Sequence, residues 1–238
     1  MTSIPRYKSD EAVVYDDVLP ADQFAALFRY LNGVEYASVH AQRWHKVWRL
    51  TDGNPLTAKA GWYHPRPVGR PRTPRYPTGT PLDRLVDWIV ARVPDVASVV
   101  GNLDAWEALS FAPWIYPAGS GLSLHQDGAR YTGAFTYFAH PHWKLHWGGH
   151  LMVLDPQTPR RDLAGGELMP AFLNDDDETA RVFDPGLAQV ILPRPNRIVF
   201  ISPTAQHVLT KVDASAGQAA RVSVAGFFHK PATRPQAP

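Results

Sequence analysis

The chain has 238 residues, 45% of them hydrophobic and 19% charged, enough to bury one substantial core. Its 24 basic and 22 acidic side chains leave a net charge of +2, too small to point to a polyanion as partner. The absence of cysteine excludes disulfide frameworks, thiolate metal sites, iron–sulfur clusters and cysteine nucleophiles, so a metal would have to rest on His, Asp or Glu. The opening MTSIPRYKSDEAVVYDD lacks the apolar run of a signal peptide, and nowhere do about 18 apolar residues follow one another. The expectation is a cytoplasmic protein with no membrane segment and no nucleic-acid partner. Residues 1–230 read as one domain and 231–238 as a disordered tail.

From Asp17 to Gly33, Leu19, Phe24, Leu27, Phe28 and Leu31 recur at helical spacing, with Pro20 and Asp22 at the entry and Gly33 at the exit. A weakly periodic stretch through Trp44, Trp48 and Trp62 leads into Pro65–Pro81, where proline recurs too often for a helix or central strand and a long loop is expected. Leu82, Leu85, Val86, Ile89, Val90 and Val93 mark one face of a second helix that ends at Pro94. Beyond Asn102 the apolar runs are short, β-branched or aromatic, and separated by Gly, Pro, Asn and Asp. They predict strands at Glu107–Tyr116, Gly121–Asp127, Gly133–Ala139, Gly149–Leu154, Glu167–Ala171, Ala188–Leu192, Arg197–Ser202, His207–Val212 and Arg221–His229. This is a mainly β chain with N-terminal helices: an antiparallel sandwich or jelly roll with a helical buttress. GGHL at Gly148–Leu151 and GGEL at Gly165–Leu168 echo each other, but no repeat of fixed period follows.

His125 and Asp127, in SLHQDGA, are one residue apart at the end of a strand-like run, so period-two geometry directs both side chains to one face. His207, at the start of another such run, supplies a third donor. Two histidines and one carboxylate are the facial set that holds non-haem Fe(II) and leaves coordination positions open for a co-substrate and dioxygen. The competing reading is a chance His-x-Asp and a surface His207. Further on, ARVSVAGFF places Arg221 and Ser223 on one face of an apolar strand. A guanidinium and a hydroxyl there can grip a carboxylate bidentately, or the arginine can serve an internal salt bridge.

His125-x-Asp127, His207 and Arg221-x-Ser223 together resemble the iron(II)/2-oxoglutarate-dependent oxygenases, especially the branch similar to prolyl 4-hydroxylases. YPAGSGLSLHQD, opening on Tyr116, resembles that branch's approach to its first two ligands, and PRPNRIVFISPTAQH resembles its approach to the distal histidine. The resemblance implies a cupin-like double-stranded β-helix. It also implies Fe(II) on His125, Asp127 and His207, with 2-oxoglutarate held by Arg221, Ser223 and Tyr116 and dioxygen as second co-substrate. A retained Asp127 favours hydroxylation or a related oxidation over halogenation. The expected substrate is a small molecule such as an amino acid or a specialised metabolite, with a peptidyl or prolyl target as the alternative. Two features depart from the family pattern: His207 and Arg221 are 14 positions apart, with ASAGQAA as a hairpin insertion, and His150 follows the glycines of GGHL.

Other readings stay open at this point. A Zn(II) hydrolase could use the same three ligands, though Arg221-x-Ser223 argues against it; a cupin-type enzyme would need no 2-oxoglutarate, and a sandwich could be a binding module. Arg130 and Tyr131, directly after the first two ligands, are candidate substrate contacts, as are Trp62, Trp114 and Trp147. His140, His142, His146 and His150 could form a second metal site, but Trp143 and Trp147 among them, with no interleaved acid, favour packing. GRPRTPR at Gly69–Arg75 resembles a minor-groove hook; without a wider basic field, an arginine-rich mobile lid is the better expectation for Pro65–Pro81.

Overall fold

The computed structural model describes residues 4–39, 50–155 and 186–231. The strands are β1 (Tyr7–Lys8), β2 (Ala12–Tyr15), β3 (Ala37–Ser38), β4 (Leu56–Thr57), β5 (Gly61–Tyr63), β6 (Ala108–Tyr116), β7 (Leu122–His125), β8 (Tyr131–Phe138), β9 (Leu151–Leu154), β10 (Ala188–Ile191), β11 (Arg197–Ile201), β12 (His207–Leu209) and β13 (Arg221–His229). The helices α1 (Ala21–Asn32), α2 (Leu82–Arg92) and α3 (Ala97–Val100) precede β6. The strands form a major sheet in the order β1-β2-β11-β8-β13-β6-β4-β3, with β5 also on β6, and a minor sheet β10-β9-β12-β7. From β6 onward the chain crosses between the sheets: β6, β8, β11 and β13 lie in the major one, β7, β9, β10 and β12 in the minor one. That alternation builds a jelly roll of the double-stranded β-helix kind.

The period of two along β13 sorts the interior into layers. Val222, Val224 and Phe228 face out, where they pack with Leu27, Leu31, Leu82, Leu85 and Ile89 beneath the helices. The helices therefore cover the outer face of the major sheet, and the chemistry-bearing residues are left for the space between the sheets. There Phe138, Leu151, Val153, Val199 and Ile201 form one cluster. Tyr116, Trp147, Leu209 and Val212 form another, which ties the Tyr116 face of β6 to the His207 face of β12.

Several sequence expectations need correction. The first helix, by contrast, starts at Ala21 and stops before Gly33, as its entry at Pro20 and Asp22 suggested; upstream, Asp17 takes a positive φ of 52° and the backbone N–H groups of Val18 and Leu19 donate to Asn196. The second helix matches its expected face, and Asp83 in its first turn accepts from the backbone N–H groups of Thr78 and Gly79 at 2.9 and 2.8 Å. Pro65–Pro81 is irregular, as expected, but tied down: Trp62 donates to the Pro74 carbonyl at 2.9 Å, Tyr76 donates to the Trp62 carbonyl at 2.7 Å, and the Tyr76 hydroxyl donates to Asp87. The sequence reading missed β1 to β5, including β2, whose four residues are all buried against β11. The strand expected at Gly121–Asp127 ends at His125, and that at His207–Val212 ends at Leu209, after which Val212 bridges to Gly148. The strand expected at Glu167–Ala171, the Gly165–Leu168 echo, Trp44, Trp48 and the tail beyond Pro231 lie outside the described residues. Among the described residues, no helix is long and apolar enough to cross a membrane.

Gly226 shows how tightly the central strands meet. A Cβ there would fall 1.7 Å from the Ser110 carbonyl oxygen and 2.7 Å from the Phe135 ring. Backbone cannot yield as a flexible side-chain tip can, so Gly226→Ala should destabilise the protein by about 3 kcal/mol or more. A denaturant titration showing a loss below about 1 kcal/mol would contradict this packing.

Candidate active site

The antiparallel pairing of β12 with β7 sets His207 directly opposite His125, and the two imidazoles lie with ring centroids 4.1 Å apart. Each ring is held by a carbonyl two residues back. His125 Nδ1–H donates to Ser123 at 2.8 Å and His207 Nδ1–H to Ala205 at 3.0 Å, which leaves both Nε2 lone pairs for a ligand. Asp127 joins them from the turn beyond β7 rather than from the strand itself. One donor atom from each of His125, Asp127 and His207 lies within 4.8 Å of the others, and all three residues are buried.

The electrostatics of this trio are those of a cation site. Burial, reinforced by His207, holds His125 well below the ordinary imidazole value, so it is neutral as a metal ligand must be. Burial pushes the Asp127 carboxyl up, while His207 and Arg130 pull the other way, and its Oδ2 is buried without a hydrogen-bond partner. Two free imidazole nitrogens and an orphaned carboxylate oxygen are what a divalent cation would satisfy. Upstream, buried Asp52 accepts from the Ser123 hydroxyl and so braces the residue that orients His125. Sequence inspection gave no sign of that link, since Asp52 belongs to a distant turn.

Arg221 opens β13 on the inner face, opposite Tyr116 of β6, and is only 2% exposed. Its guanidinium lies 5.0 Å from the centre of the Tyr116 ring and 4.8 Å from that of Phe138, and it donates to the Ser223 hydroxyl at 3.4 Å. Among the described residues no carboxylate pairs with it, and its Nε is buried without a partner, so the internal salt bridge considered from sequence is not found there. Burial pushes Arg221 down to about 10, which still leaves it charged at neutral pH. Among the described residues, this buried cation lacks an anion.

No protein-family model and no curated protein matches the sequence. Solved structures do resemble it. A Pseudomonas putida prolyl-4-hydroxylase superposes with a TM-score of 0.56 at 15% identity, over 92% of this chain and 93% of that one. The non-heme alpha ketoglutarate dependent epimerase SnoN from nogalamycin biosynthesis gives 0.57 at 18% identity, over 94% and 80% of the two chains. A 2OG-Fe(II) oxygenase family oxidoreductase from Burkholderia pseudomallei gives 0.53 at 14%, over 94% and 88%. The fold is that of the 2-oxoglutarate, Fe(II) oxygenases.

Within this oxygenase fold the remaining sequence candidates separate. Trp114 stacks on Tyr116, with ring centroids 6.3 Å apart, and stands opposite Ser223, so it belongs to the Arg221 end. Trp62, Arg130 and Tyr131 gather at the other end of the inner face. Trp147 does not join them as a substrate contact: it is 7% exposed and packs edge-on against Trp143 at 5.2 Å, the packing role that its place among the histidines suggested. The histidine group does not converge on a second metal site among the described residues. His142 and His146 lie against Trp147, and His150 sits 3.0 Å from the Leu145 carbonyl. The two glycines before His150 have a clearer purpose. Both take positive φ, and a Cβ on Gly149 would press to 3.0 Å from the Arg221 side chain, so GGH is a turn that leaves room for the guanidinium.

His140 is buried beside this end, with Nε2 2.6 Å from the Pro193 carbonyl and Nδ1 3.2 Å from the Val222 carbonyl. Burial pushes the imidazole down to about 4 despite those contacts, and the charge of Arg221 adds to the effect. The unfolded chain titrates near 6.5, so between about pH 6.5 and 4 it takes up a proton that the folded protein refuses. Stability should therefore be full above about pH 6.5 and fall by about 3 kcal/mol through this group as pH drops to 4. Urea midpoints across that range should show a shallower decline in His140→Gln than in the parent; identical slopes would contradict the assignment.

Proposed function

We propose that the protein is an Fe(II)- and 2-oxoglutarate-dependent oxygenase that oxidises a C–H bond of a small molecule. The observation that carries this reading is Arg221: a buried guanidinium with no carboxylate partner among the described residues, on the inner face that the His125, Asp127 and His207 cluster also faces. A hydrolase or a cupin enzyme with the same ligands gives such an arginine nothing to bind. His125, Asp127 and His207 would hold Fe(II), and Arg221, Ser223 and Tyr116 would hold the far carboxylate of 2-oxoglutarate. When bound, the metal and co-substrate together activate dioxygen while 2-oxoglutarate is decarboxylated to succinate.

The chain's own residues supply position and dryness. The Ser123 and Ala205 carbonyls fix both imidazoles in the tautomer that presents Nε2. Arg221 offers the bidentate, permanently charged fork that suits a carboxylate under burial. Burial raises the Tyr116 hydroxyl to about 12, so it stays protonated and can donate to the same carboxylate. Tyr116, Trp114, Phe138 and Leu209 surround that end with apolar surface, which strengthens the charge pair by excluding water. A small molecule is favoured over a peptide because the rings at the open end crowd together, with contacts of 4.3 to 5.0 Å among Trp62, Tyr131, Phe227 and His229.

Anaerobic titration tests both halves. His125→Ala and His207→Ala should lose Fe(II) binding almost completely, and full iron occupancy in both folded variants would sink the ligand assignment. Arg221→Gln should retain Fe(II) but bind 2-oxoglutarate about two orders of magnitude more weakly, from the loss of a buried charged partner worth about 2–5 kcal/mol. Ser223→Ala should cost about 1 kcal/mol. If Arg221→Gln develops the Fe(II) charge-transfer band at the parent's 2-oxoglutarate concentration, the anion site lies elsewhere and the hydrolase and cupin readings reopen.

A further inference from the structure

Beyond Arg221, Ser223 and Ala225, the inner face of β13 continues to Phe227 and His229. Register brings other rings to the same place. Tyr131, the first residue of β8, pairs with His229, and Trp62 of β5 pairs with Ser110 of β6. Tyr131 stacks on Phe227 at 4.3 Å with 20° between the planes. His229 stands edge-on to Tyr131 at 4.9 Å and 5.0 Å from Trp62. Beneath them the Ser110 hydroxyl lies 3.0 Å from His229 Nε2 and accepts from the Phe227 N–H at 3.2 Å. The result is a shelf of four rings.

Two arginines bracket the shelf. Arg72, from the proline-rich loop, lies 4.3 Å over the Trp62 ring, and Arg130, from the turn after Asp127, lies 4.8 Å over Tyr131. Both are exposed, and among the described residues neither forms an ion pair with Asp or Glu. One such stack would be ordinary surface packing. Here two converge on one shelf: burial, Arg72, Arg130 and His64 all act to keep His229 uncharged, and Tyr131 lies in the field of Arg130, Asp127 and Arg72. Among the described residues, the shelf carries two guanidinium groups against the single carboxylate of Asp127. Arg130 follows Asp127 by three positions in the turn beyond β7, so the shelf adjoins the three-residue cluster.

We propose, resting on the oxygenase reading above, that the substrate is a planar organic anion: Arg72 and Arg130 hold its carboxylate or phosphate while its flat part packs against the half-buried Trp62 and Phe227 rings beside the His125, Asp127 and His207 cluster. The proline-rich loop then serves as a fixed border of the shelf, because Trp62 both pairs with the loop at Arg75 and lies under Arg72. Neutral molecules of the same shape gain the stacking but not the charge pair, so charge selects the substrate.

Calorimetric titration of the anaerobic protein with Fe(II) and 2-oxoglutarate can use phenylacetate, phenyl phosphate and neutral phenylacetamide as probes. At least one anion should bind about ten-fold or more tightly than the amide. Arg72→Gln and Arg130→Gln, both at exposed positions, should each remove about ten-fold of that preference, while Trp62→Ala should weaken anion and amide alike. The stronger of the two anions tells carboxylate from phosphate. Equal affinity for anion and amide, no binding by any probe, or a preference that survives both arginine substitutions overturns the proposal. Measuring Fe(II) and 2-oxoglutarate affinity on the same samples keeps the two readings apart. Intact co-substrate binding without anion preference overturns the pocket alone, whereas anion preference without Fe(II) or 2-oxoglutarate binding overturns the oxygenase reading.

Discussion

The pairing of β12 with β7 governs the rest of the site. His207 faces His125 across this pair and Val153 across the β9 side, so the register is held from both neighbours. Side chains alternate along a strand, and a slip of one residue in either strand would turn its imidazole away from its partner and out of the space between the sheets. The irregularity between His207 and Leu209 ends the regular ladder just beyond the histidine, and β7 likewise stops at His125. Regular pairing thus ends beside the cluster, which frees the turn that brings in Asp127.

Arg221 imposes the second constraint. A charge buried between sheets is destabilising unless it is matched, and here the matching is incomplete: two aromatic faces, one hydroxyl and a glycine that gives it room. Such a concession of stability at one point is what the proposed 2-oxoglutarate site would demand of an otherwise consistent core. His140 adds a second buried polar ring nearby, kept neutral by the same environment.

The frame that tolerates these groups is clamped at its edge by the approach to His207. Asn196, at a φ of 60°, accepts from the Leu19 N–H at 2.9 Å and the Tyr137 hydroxyl at 2.7 Å, and donates to the Leu19 carbonyl at 2.7 Å. Arg197 pairs bidentately with Asp16 at 2.6 and 3.1 Å. The segment that resembled a family signature is therefore a brace between β11 and the entry to α1, and it steadies the strand that leads to His207.

His125, Asp127, His207 and Arg221-x-Ser223 stood out in the sequence as candidates, and prove buried, because each is a residue type that is expensive to bury, set in or beside an apolar strand. Such a residue announces a partner before the partner is known. The eight strands expected within the described residues and the second helix were legible for a related reason, since their periodicity is local. Only the tertiary structure decided which partners meet. β2 is four buried residues whose strand character comes from β11, far along the chain. Trp62, Trp114 and Trp147 look alike in sequence, yet register sends one to the open shelf, one to the Arg221 end and one to the core. The roles of Asp52, Gly149, Arg72 and His229 likewise depend on contacts between remote segments. Local pattern determines what a residue needs, and the pairing of distant strands determines what it receives.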